Sequence, residues 1–233
     1  INSQTKTIYM TSFMRDLYAN IPNVGIRKLN SAYAVGGGPL LVSTIESNYR
    51  VDIDNYASVD FSSMANIIDL VGGVDLEVST QEAGYINMYL DEQCGLQGLN
   101  ASDYYVTGGG ITHLNGNQAV GFERIRYTSR GNEHSDYGRT SRQREILVQL
   151  MQKARSLDAT TLLAVVNNML PLITHNIDAA TLTNLIANAP SYINYDIQTD
   201  RIPYDGLYSN LGEELVPDFE ATINRLHQTI YGN

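Results

Sequence analysis

The order of apolar and polar positions predicts strands that alternate with helices along the first 130 residues. Runs that are β-branched and aromatic, or that alternate apolar with polar positions, predict strands at 7–12, 56–60 and 74–78. Apolar positions at helical spacing predict helices at 39–48, 62–70, 80–92 and 115–123. Because strands that alternate with helices build a sheet covered by helices, we predict an α/β (α+β mixed) fold. Its central mixed β-sheet is expected to be flanked by helices on both sides.

The second half of the chain is predicted to be mostly helical. A long helix is expected at 136–155, followed by helices at 159–170, 179–188 and 213–230, with one strand near 194–202. No internal repeat, low-complexity tract or linker rich in Pro and Ser interrupts the pattern. We therefore predict a single domain, in which residues 1–155 form the core and residues 156–233 form its helical C-terminal part.

The composition makes several classes of protein unfavourable. The formal net charge of −10 repels nucleic acid, so we predict no nucleic-acid partner. Cys94 is the only cysteine, which rules out an intramolecular disulfide, and we interpret it as an incidental or buried thiol. No apolar run reaches the length of about 18 residues that would predict a membrane helix. The chain opens on Ile1 rather than Met, as a piece of a longer product would.

Arginine dominates the basic residues. The chain has twelve Arg and three Lys, and six of the twelve Arg fall between residues 124 and 144. A guanidinium binds carboxylate or phosphate through two parallel hydrogen bonds, whereas Lys is the ordinary choice for solubility. Arginines concentrated on an acidic protein therefore favour an anion-binding site over a solvated, salt-bridged helix face.

The helix predicted at 136–155 carries part of this cluster on its apolar face. At about 100° per residue, one stripe contains Arg139, Arg142, Gln143, Ile146 and Leu150. Arg144 points away from the stripe and is expected to be solvated. Because buried charges need partners, the stripe predicts an anionic ligand at the helix N-terminus, or pairing with carboxylates such as Asp136 and Glu123. Both arrangements can hold together.

Two more arginines, Arg124 and Arg126, flank Ile125 shortly before that helix. In an extended segment their side chains point to one face, where two guanidiniums repel each other unless an anion lies between them. The spacing therefore also favours a phosphate, with Glu123 compensating part of the positive charge.

Other charged positions are ambiguous from spacing alone. Asp136 is expected to be the helix N-cap, a metal ligand or a group that orients an arginine. Arg15 and Asp16 follow the end of the first predicted strand, where open α/β sheets place their ligands. A surface salt bridge is the simpler interpretation of that pair.

The motifs of several other chemistries are missing from the sequence. The four histidines have neither the HExxH pattern nor the i,i+4 spacing of a zinc site. Gly36, Gly37 and Gly38 are not followed by the Lys and Ser or Thr of a phosphate-binding P-loop, and no GxSxG motif occurs. Sixteen Tyr offer platforms for stacking sugars, although tyrosines scattered over a surface are equally ordinary.

Several segments share their order and spacing with one known family. They are Thr11-Ser12-Phe13-Met14-Arg15-Asp16, Lys28-Leu29-Asn30-Ser31-Ala32-Tyr33 with Gly36-Gly37, Val59-Asp60-Phe61, Asp69-x-Val71-Gly72-Gly73-Val74-Asp75, His113-Leu114-Asn115-Gly116-x-Gln118-Ala119, and Arg124-x-Arg126 followed by Asp136-x-x-Arg139-x-x-Arg142-Gln143. Together they resemble the LytR–CpsA–Psr family of bacterial cell-envelope proteins, and the last segment is highly specific. By this resemblance, residues 1–155 are a LytR–CpsA–Psr-like catalytic core.

The resemblance implies a phosphotransferase at the extracellular face of the bacterial plasma membrane. Such proteins move a glycopolymer of the teichoic acid or capsule type from undecaprenyl pyrophosphate to peptidoglycan, usually with Mg²⁺. The resemblance implies catalytic roles for Arg15, Arg126 and Asp136, with Asp136 a candidate base or orienting group. It implies substrate binding by Arg124, Arg139, Arg142 and Gln143, and it places Lys28 and Asn30 along the same pocket.

The resemblance also leaves two questions open. The family's membrane helix and an acidic motif for Mg²⁺ would precede residue 1, so the anchor and the main metal ligands are expected upstream. Within these residues Asp16 and Asp136 are the candidate ligands, a thin set for Mg²⁺. Two other functions stay open: a non-catalytic binder of polyprenyl pyrophosphate or wall polymer, and a pyrophosphatase that acts on the same lipid carrier.

Overall fold

The computed structural model describes residues 1–98, 100–129 and 135–232, which contain both helices and strands. The strands are β1 (Thr7–Phe13), β2 (Tyr18–Ile21), β3 (Gly25–Lys28), β4 (Ala57–Ser58), β5 (Val74–Val78), β6 (Gly110–Leu114), β7 (Thr174–His175), β8 (Asp196–Ile202), β9 (Tyr208–Leu211) and β10 (Glu214–Pro217). The helices are α1 (Asn30–Tyr49), α2 (Phe61–Leu70), α3 (Thr80–Gln97), α4 (Gly116–Glu123), α5 (Ser135–Arg155), α6 (Ala159–Met169), α7 (Ala179–Tyr192) and α8 (Phe219–Tyr231). Short 3₁₀ turns cover Ala101–Tyr104 and Leu170–Leu172.

These elements belong to two compact units. The first comprises Ile1–Ser58, His175–Leu182 and residues 195–232, and the second comprises the described parts of Val59–Thr174 together with Thr183–Asn194. Among the described residues the strands pair two by two: β1 with β8, β2 with β3, β4 with β7, β5 with β6, and β9 with β10.

The first unit is built around the parallel pair of β1 and β8, in which Thr7 lies opposite Asp196. The antiparallel hairpin of β2 and β3 follows, and α1 begins directly after it. Helix α1 is kinked where Gly36 and Gly37 leave the helical conformation. Gly37 has a φ of 62°, a backbone conformation that glycine adopts without steric cost.

The core of the second unit lies between the antiparallel pair of β5 and β6 and the helices α2, α3, α4 and α5. Its buried side chains are apolar and come from each of these elements; they include Ile68, Leu76, Leu114, Ile86, Phe122 and Ile146. Helices α2 and α4 approach closely at Gly116, because a Cβ atom there would collide with the carbonyl group of Ala65. Glycine at this position therefore fixes the place of α4, whose far end carries the site described below.

Side-chain caps set where the helices of the second unit begin. Ser79 and Glu82 form a capping box at the start of α3, in which each side chain accepts a hydrogen bond from the other residue's backbone N–H group. Asn115 and Gln118 do the same at the start of α4. Both boxes satisfy backbone donors that would otherwise lack partners, so the two helices start at defined residues.

The predicted mixture of helices and strands is confirmed, and the helices expected at 62–70, 115–123 and 136–155 correspond to α2, α4 and α5. The arrangement of the strands differs from the prediction, because the described strands form pairs rather than one central sheet. Alternation of apolar and polar residues shows which face of a strand is buried. It does not show which strand lies alongside, so the pairing could not be predicted.

The C-terminal part differs from the predicted run of helices. The helix expected at 213–230 begins only at Phe219, where the side chain of Asp218 accepts a hydrogen bond from the N–H group of Ala221. The residues before it form the antiparallel pair of β9 and β10 around Gly212, whose φ is 61°. The part from residue 156 onwards therefore contains strands as well as helices, and residues 195–232 pack with the N-terminal residues in the first unit.

Candidate functional site

The end of α4 and the segment that follows it bring charged side chains to one place in the second unit. The chain leaves the helix at Arg124, whose N–H group donates to the carbonyl oxygen of Val120. Ile125 is buried in the core, whereas Arg124 and Arg126 on either side are exposed. The predicted alternation is therefore confirmed: the isoleucine points inward and its two arginine neighbours point outward.

Arg142 holds this segment in place from inside the protein. Its side chain is fully buried, with a relative exposure of 0 %, and its Nε atom donates to Oε1 of Glu82 at 3.0 Å. The same guanidinium donates to the carbonyl oxygens of Ile125, Thr128 and Ser129. Because removal of one partner would leave a buried charge uncompensated, this ion pair rigidly positions the segment after α4.

Arg142 is buried inside the protein, whereas a substrate-binding side chain is expected to line a pocket. Arg142 is not among the residues that line the pocket described next, and its hydrogen bonds reach the protein's own groups. The stripe on α5 predicted its burial, and pairing with a protein carboxylate was one of the open alternatives. Glu82 was not identified as that carboxylate, because it is distant in sequence and its capping motif explains it locally.

A pocket of about 430 Å³ opens beside this segment. Its polar and charged lining comes from α3, from the end of α4 with the following segment, and from α5; it consists of Glu92, Glu123, Arg124, Arg126, Arg139 and Gln143. Its apolar and aromatic lining includes Phe61, Tyr85, Met88, Tyr89 and Tyr127. The structure thus brings together four of the predicted substrate-site residues of the second unit: Arg124, Arg126, Arg139 and Gln143.

Arg124 is held between two aromatic rings. Its guanidinium carbon lies 5.0 Å from the centre of the Phe61 ring and 4.6 Å from the centre of the Tyr89 ring. A cation over an aromatic face gains about 0.5–1 kcal/mol at an exposed site. The rings restrict the guanidinium without occupying its N–H donors, which leaves the side chain oriented at the pocket.

Asp136 orients the other two arginines. Its Oδ1 atom lies 3.2 Å from Nη2 of Arg139 and 3.7 Å from Nε of Arg126. Asp136 lies within the first turn of α5, where a negative charge is favourable because of the helix dipole. Of the alternatives that spacing left open for this residue, the structure shows the pairing with arginines.

Glu123 is the buried acidic residue of the pocket. It has a relative exposure of 6 %, and burial raises the pKa of its carboxyl group to about 7, although Arg139 and Arg124 act in the opposite direction. From the sequence, Glu123 was expected only to be a partial charge partner for the arginines. The signal that could have identified it is its position at the end of α4, next to the apolar residues Ala119, Val120 and Phe122, which are also buried.

The remaining predicted residues lie in the first unit, where they form a charged cluster. Arg15 Nε lies 3.2 Å from Oδ2 of Asp16, and Lys28 Nζ lies 3.3 Å from Oδ1 of the same aspartate. Lys28 also pairs with Glu213 at 3.1 Å, which is the main reason that its pKa is raised. Asn30 begins α1, and its N–H group donates to the carbonyl oxygen of Arg15.

The two candidate metal ligands already have cationic neighbours. Both carboxylate oxygens of Asp16 lie beside Arg15 and Lys28, and Asp136 lies beside Arg126 and Arg139. Within residues 1–98, 100–129 and 135–232, no group of three or more His, Cys, Asp or Glu side chains is placed to hold a metal ion. Both candidate carboxylates are thus engaged by cations, and the ligation of Mg²⁺ stays a prediction.

Three smaller expectations concern single residues and helices. Cys94 is buried, in agreement with one of its two interpretations. Arg144 was predicted to be solvated but is half-buried on α5. None of the helices in the described residues is both long and apolar enough to cross a membrane.

Comparison with known proteins connects this geometry with a family. A model of the LytR_cpsA_psr family matches residues 1–226. The chain belongs to the LytR–CpsA–Psr family. This membership confirms the resemblance drawn from the sequence motifs.

The relatives with curated names include two kinds of protein. The polyisoprenyl-teichoic acid–peptidoglycan teichoic acid transferase TagU of Enterococcus faecalis is 32 % identical over 177 residues, which are 72 % of this chain and 51 % of that protein. The regulatory protein MsrR of Staphylococcus aureus is 33 % identical over 150 residues, or 64 % of this chain and 39 % of that protein. The chain thus spans about half the length, or less, of these relatives.

Solved structures of the family share the fold. A structure titled "TagT bound to LIIa-WTA" superimposes with a TM-score of 0.74 at 20 % identity and covers 100 % of this chain and 81 % of that chain. A structure of YwtF (TagT) with bound octaprenyl pyrophosphate lipid gives a TM-score of 0.68 at 19 % identity, covering 99 % of this chain and 82 % of that one. At this identity the comparison shows the fold alone.

Proposed function

We propose that the chain is the core of a phosphotransferase that moves an anionic glycopolymer, of the teichoic acid or capsule type, from undecaprenyl pyrophosphate to peptidoglycan. The observation that carries this proposal is the convergence of Arg124, Arg126, Arg139 and Gln143 on one pocket. The name of the relative TagU describes the same transfer, and one TagT structure holds a polyprenyl pyrophosphate.

The pocket suits the chemistry of phosphoryl transfer. Such reactions depend mainly on holding the phosphates in position and on neutralising the charge that develops on the transferred and leaving oxygens. Guanidiniums bind phosphate oxygens through parallel hydrogen bonds. Here Arg124 is fixed by two aromatic rings, and Arg126 and Arg139 are fixed by Asp136, so the donors are oriented before the substrate arrives.

In this proposal Asp136 is an orienting group for the catalytic Arg126 and for the substrate-binding Arg139. Arg142 supports binding indirectly, because it holds the segment that carries Arg124 and Arg126. Arg15, Lys28 and Asn30 are proposed to take part in the same reaction through the family resemblance. Mg²⁺ is the cofactor proposed through the same resemblance, although Asp16 and Asp136 pair with cations in the described residues.

The cellular setting is part of the proposal. The transferase would act at the extracellular face of the plasma membrane and be anchored in the full-length protein by an N-terminal helix. Its partners would be the polyprenyl-pyrophosphate-linked glycopolymer and the peptidoglycan acceptor. The net charge of −10 is unfavourable for nucleic acid, which is not among the proposed partners.

Incubation of the full-length protein with a polyprenyl-pyrophosphate-linked saccharide and peptidoglycan distinguishes the three candidate functions. A transferase releases polyprenyl monophosphate and attaches the saccharide covalently to peptidoglycan. A pyrophosphatase releases the monophosphate without attachment, and a binder retains the substrate intact. We expect the first result for the wild type and its loss in Arg126→Ala. Attachment at the wild-type rate in Arg126→Ala would contradict the assignment of the pocket.

A further inference from the structure

Glu123 lies where two cavities of the second unit meet. It lines the 430 Å³ pocket with the arginines, and it also lines a neighbouring cavity of about 240 Å³. Phe61 and Gln143 are the other residues shared by the two cavities. The second cavity is mostly apolar and continues to Met64, Ile146 and Leu147. A carboxyl group at this junction can contact a molecule in either space.

The carboxyl group of Glu123 is buried and lacks a local partner. Within the described part of the chain, no hydrogen bond or ion pair joins it to another side chain or to the backbone. The residue as a whole has a relative exposure of 6 %, but its carboxylate oxygens are not among the fully enclosed, unpaired polar atoms, so they face the pocket. Its oxygens are therefore available to a ligand in the pocket.

The charged and titratable groups around Glu123 come from each neighbouring element. Arg139 on α5 and Arg124 in the next position of the chain act on its carboxyl group, and Glu92, Tyr85 and Tyr89 on α3 line the same pocket. From the start of α2, Asp60 lines the second cavity. The two arginines do not remove the effect of burial, so the proton of Glu123 is exchanged near neutral pH.

The other acidic residue beside the arginines occupies a different position. Asp136 lies within 3.2 Å and 3.7 Å of two guanidinium groups. Asp136 is therefore part of an ion-pair network that positions Arg126 and Arg139. Glu123 faces the same pocket, and among the described residues it forms no ion pair with a guanidinium, although Arg139 and Arg124 act on its charge from a greater distance.

We propose that Glu123 is the general base that accepts the proton of the acceptor sugar hydroxyl; this inference rests on the proposed transferase function. The hydroxyl proton passes to a carboxylate oxygen of Glu123 while the hydroxyl oxygen forms a bond to the phosphorus that carries the glycopolymer. The bond from that phosphorus to the bridging oxygen breaks, and the electron pair leaves with polyprenyl phosphate. Glu123 afterwards releases its proton to solvent, and the arginines keep their charge throughout.

The chemistry of the position supports this role. A base is most effective when its pKa lies close to the working pH, because it is then both deprotonated and basic enough to take the proton. A pKa of about 7 meets that condition. The neighbouring cavity is lined mainly by apolar side chains, and such surroundings strengthen the interaction of the carboxyl group with a bound hydroxyl.

The first test is Glu123→Gln in the full-length protein, which keeps the shape of the side chain and removes its basicity. We expect kcat for transfer to fall about 100-fold to 10,000-fold, the usual contribution of a general base. We expect the Kd for a polyprenyl pyrophosphate to stay within about threefold of the wild type, since a neutral replacement leaves the arginines in place. Glu123→Asp should recover part of the rate.

The pH profile separates a base from a structural residue. We expect kcat/KM of the wild type to rise with pH through about 7, and this acidic limb to be absent in Glu123→Gln. Glu92→Gln removes the same charge from the exposed edge of the same pocket, and it should keep the limb. Carboxyl ¹³C NMR of the wild type should show one glutamate with a midpoint near 7, independently of any variant.

The possible outcomes distinguish this inference from the proposed function. A Glu123→Gln variant that keeps the wild-type rate and the acidic limb would overturn the inference while leaving the transferase intact. A joint loss of binding and rate would also overturn it, since Glu123 would then be a binding or structural residue. If the wild type binds the lipid but transfers nothing, the proposed function fails, and the role of Glu123 as a base fails with it.

Discussion

The two charged clusters of this protein contain the same types of residue and differ in how completely their charges are paired. In the first unit, Lys28 lies between Asp16 and Glu213, and Arg15 pairs with the same aspartate, near the surface. In the second unit, Arg124 rests on aromatic rings, and Arg126 and Arg139 share Asp136. The first arrangement neutralises its cations locally. The second orients its cations with donors still directed at a pocket, which is what binding of an anion requires.

The largest loss of stability is expected when Arg142, the buried side chain behind the second cluster, is replaced. Arg142→Ala removes the guanidinium that pairs with the buried Glu82 carboxylate, and it removes three hydrogen bonds from the segment after α4. Breaking a buried ion pair in this way costs about 3–5 kcal/mol. Urea denaturation should show that loss in the free energy of unfolding. Arg50→Ala, which breaks an exposed pair with Glu220, is the matched control and should change it little.

The next effect depends on pH. Because the folded protein raises the pKa of Glu123 from 4.5 to about 7, folding favours its protonated form. That stabilisation is fully present below pH 4.5 and is lost as the pH rises to about 7. The shift corresponds to roughly 3 kcal/mol across this range. Glu123→Gln should remove this part of the pH dependence when unfolding is measured by urea at pH 4.5, 6 and 7.5. Identical pH dependence in both proteins would contradict the burial argument.

A smaller effect is expected from the rings that hold Arg124. Replacing Tyr89 by Leu removes one aromatic face and keeps a smaller apolar side chain. The loss of one cation–π contact, about 0.5–1 kcal/mol, should weaken binding of a polyprenyl pyrophosphate by roughly twofold to fivefold. Tyr85 lines the same pocket, and among the described contacts its ring does not lie against Arg124. Tyr85→Leu therefore serves as the control. Equal weakening by both variants would show that the ring over Arg124 has no special role.

The smallest effect is expected in the first unit. Glu213→Gln removes one partner of Lys28 and should lower the pKa of that lysine toward its ordinary value. Exposed ion pairs contribute little to folding and are screened by salt, so thermal unfolding should be unchanged at high ionic strength. A marked loss of stability in 0.5 M salt would mean that this cluster is more than a surface network.

Particular elements show how far the sequence could predict this structure. The stripe on α5 was predicted because helical phase places Arg139, Arg142 and Gln143 together, and phase follows from spacing alone. Helical phase does not identify the residue with which a side chain pairs. The hydrogen bond from Arg142 to Glu82 joins residues that are 60 positions apart. The same limit applies to β9 and β10, whose pairing makes strands of residues that were partly predicted as the start of a helix.

The site was predictable to a similar degree. Arg124, Arg126 and Arg139 could be identified by residue type and spacing, because arginines clustered on an acidic chain favour an anion. The role of Glu123 could not, since burial and the absence of a partner are properties of the folded protein. The other candidate residues were identified through the family resemblance. It did not distinguish Arg142, which supports the pocket from within, from the arginines that line it.

The most direct test of the central claim is isothermal titration calorimetry with farnesyl pyrophosphate as a short polyprenyl pyrophosphate. If the second unit's arginines form the pyrophosphate site, Arg126→Ala/Arg139→Ala should weaken binding by at least about 100-fold, from the loss of two charge-assisted contacts of about 1.5–3 kcal/mol each. Arg50→Ala, which changes an exposed pair in the first unit, should bind as the wild type does. A double variant with the wild-type Kd would contradict the account.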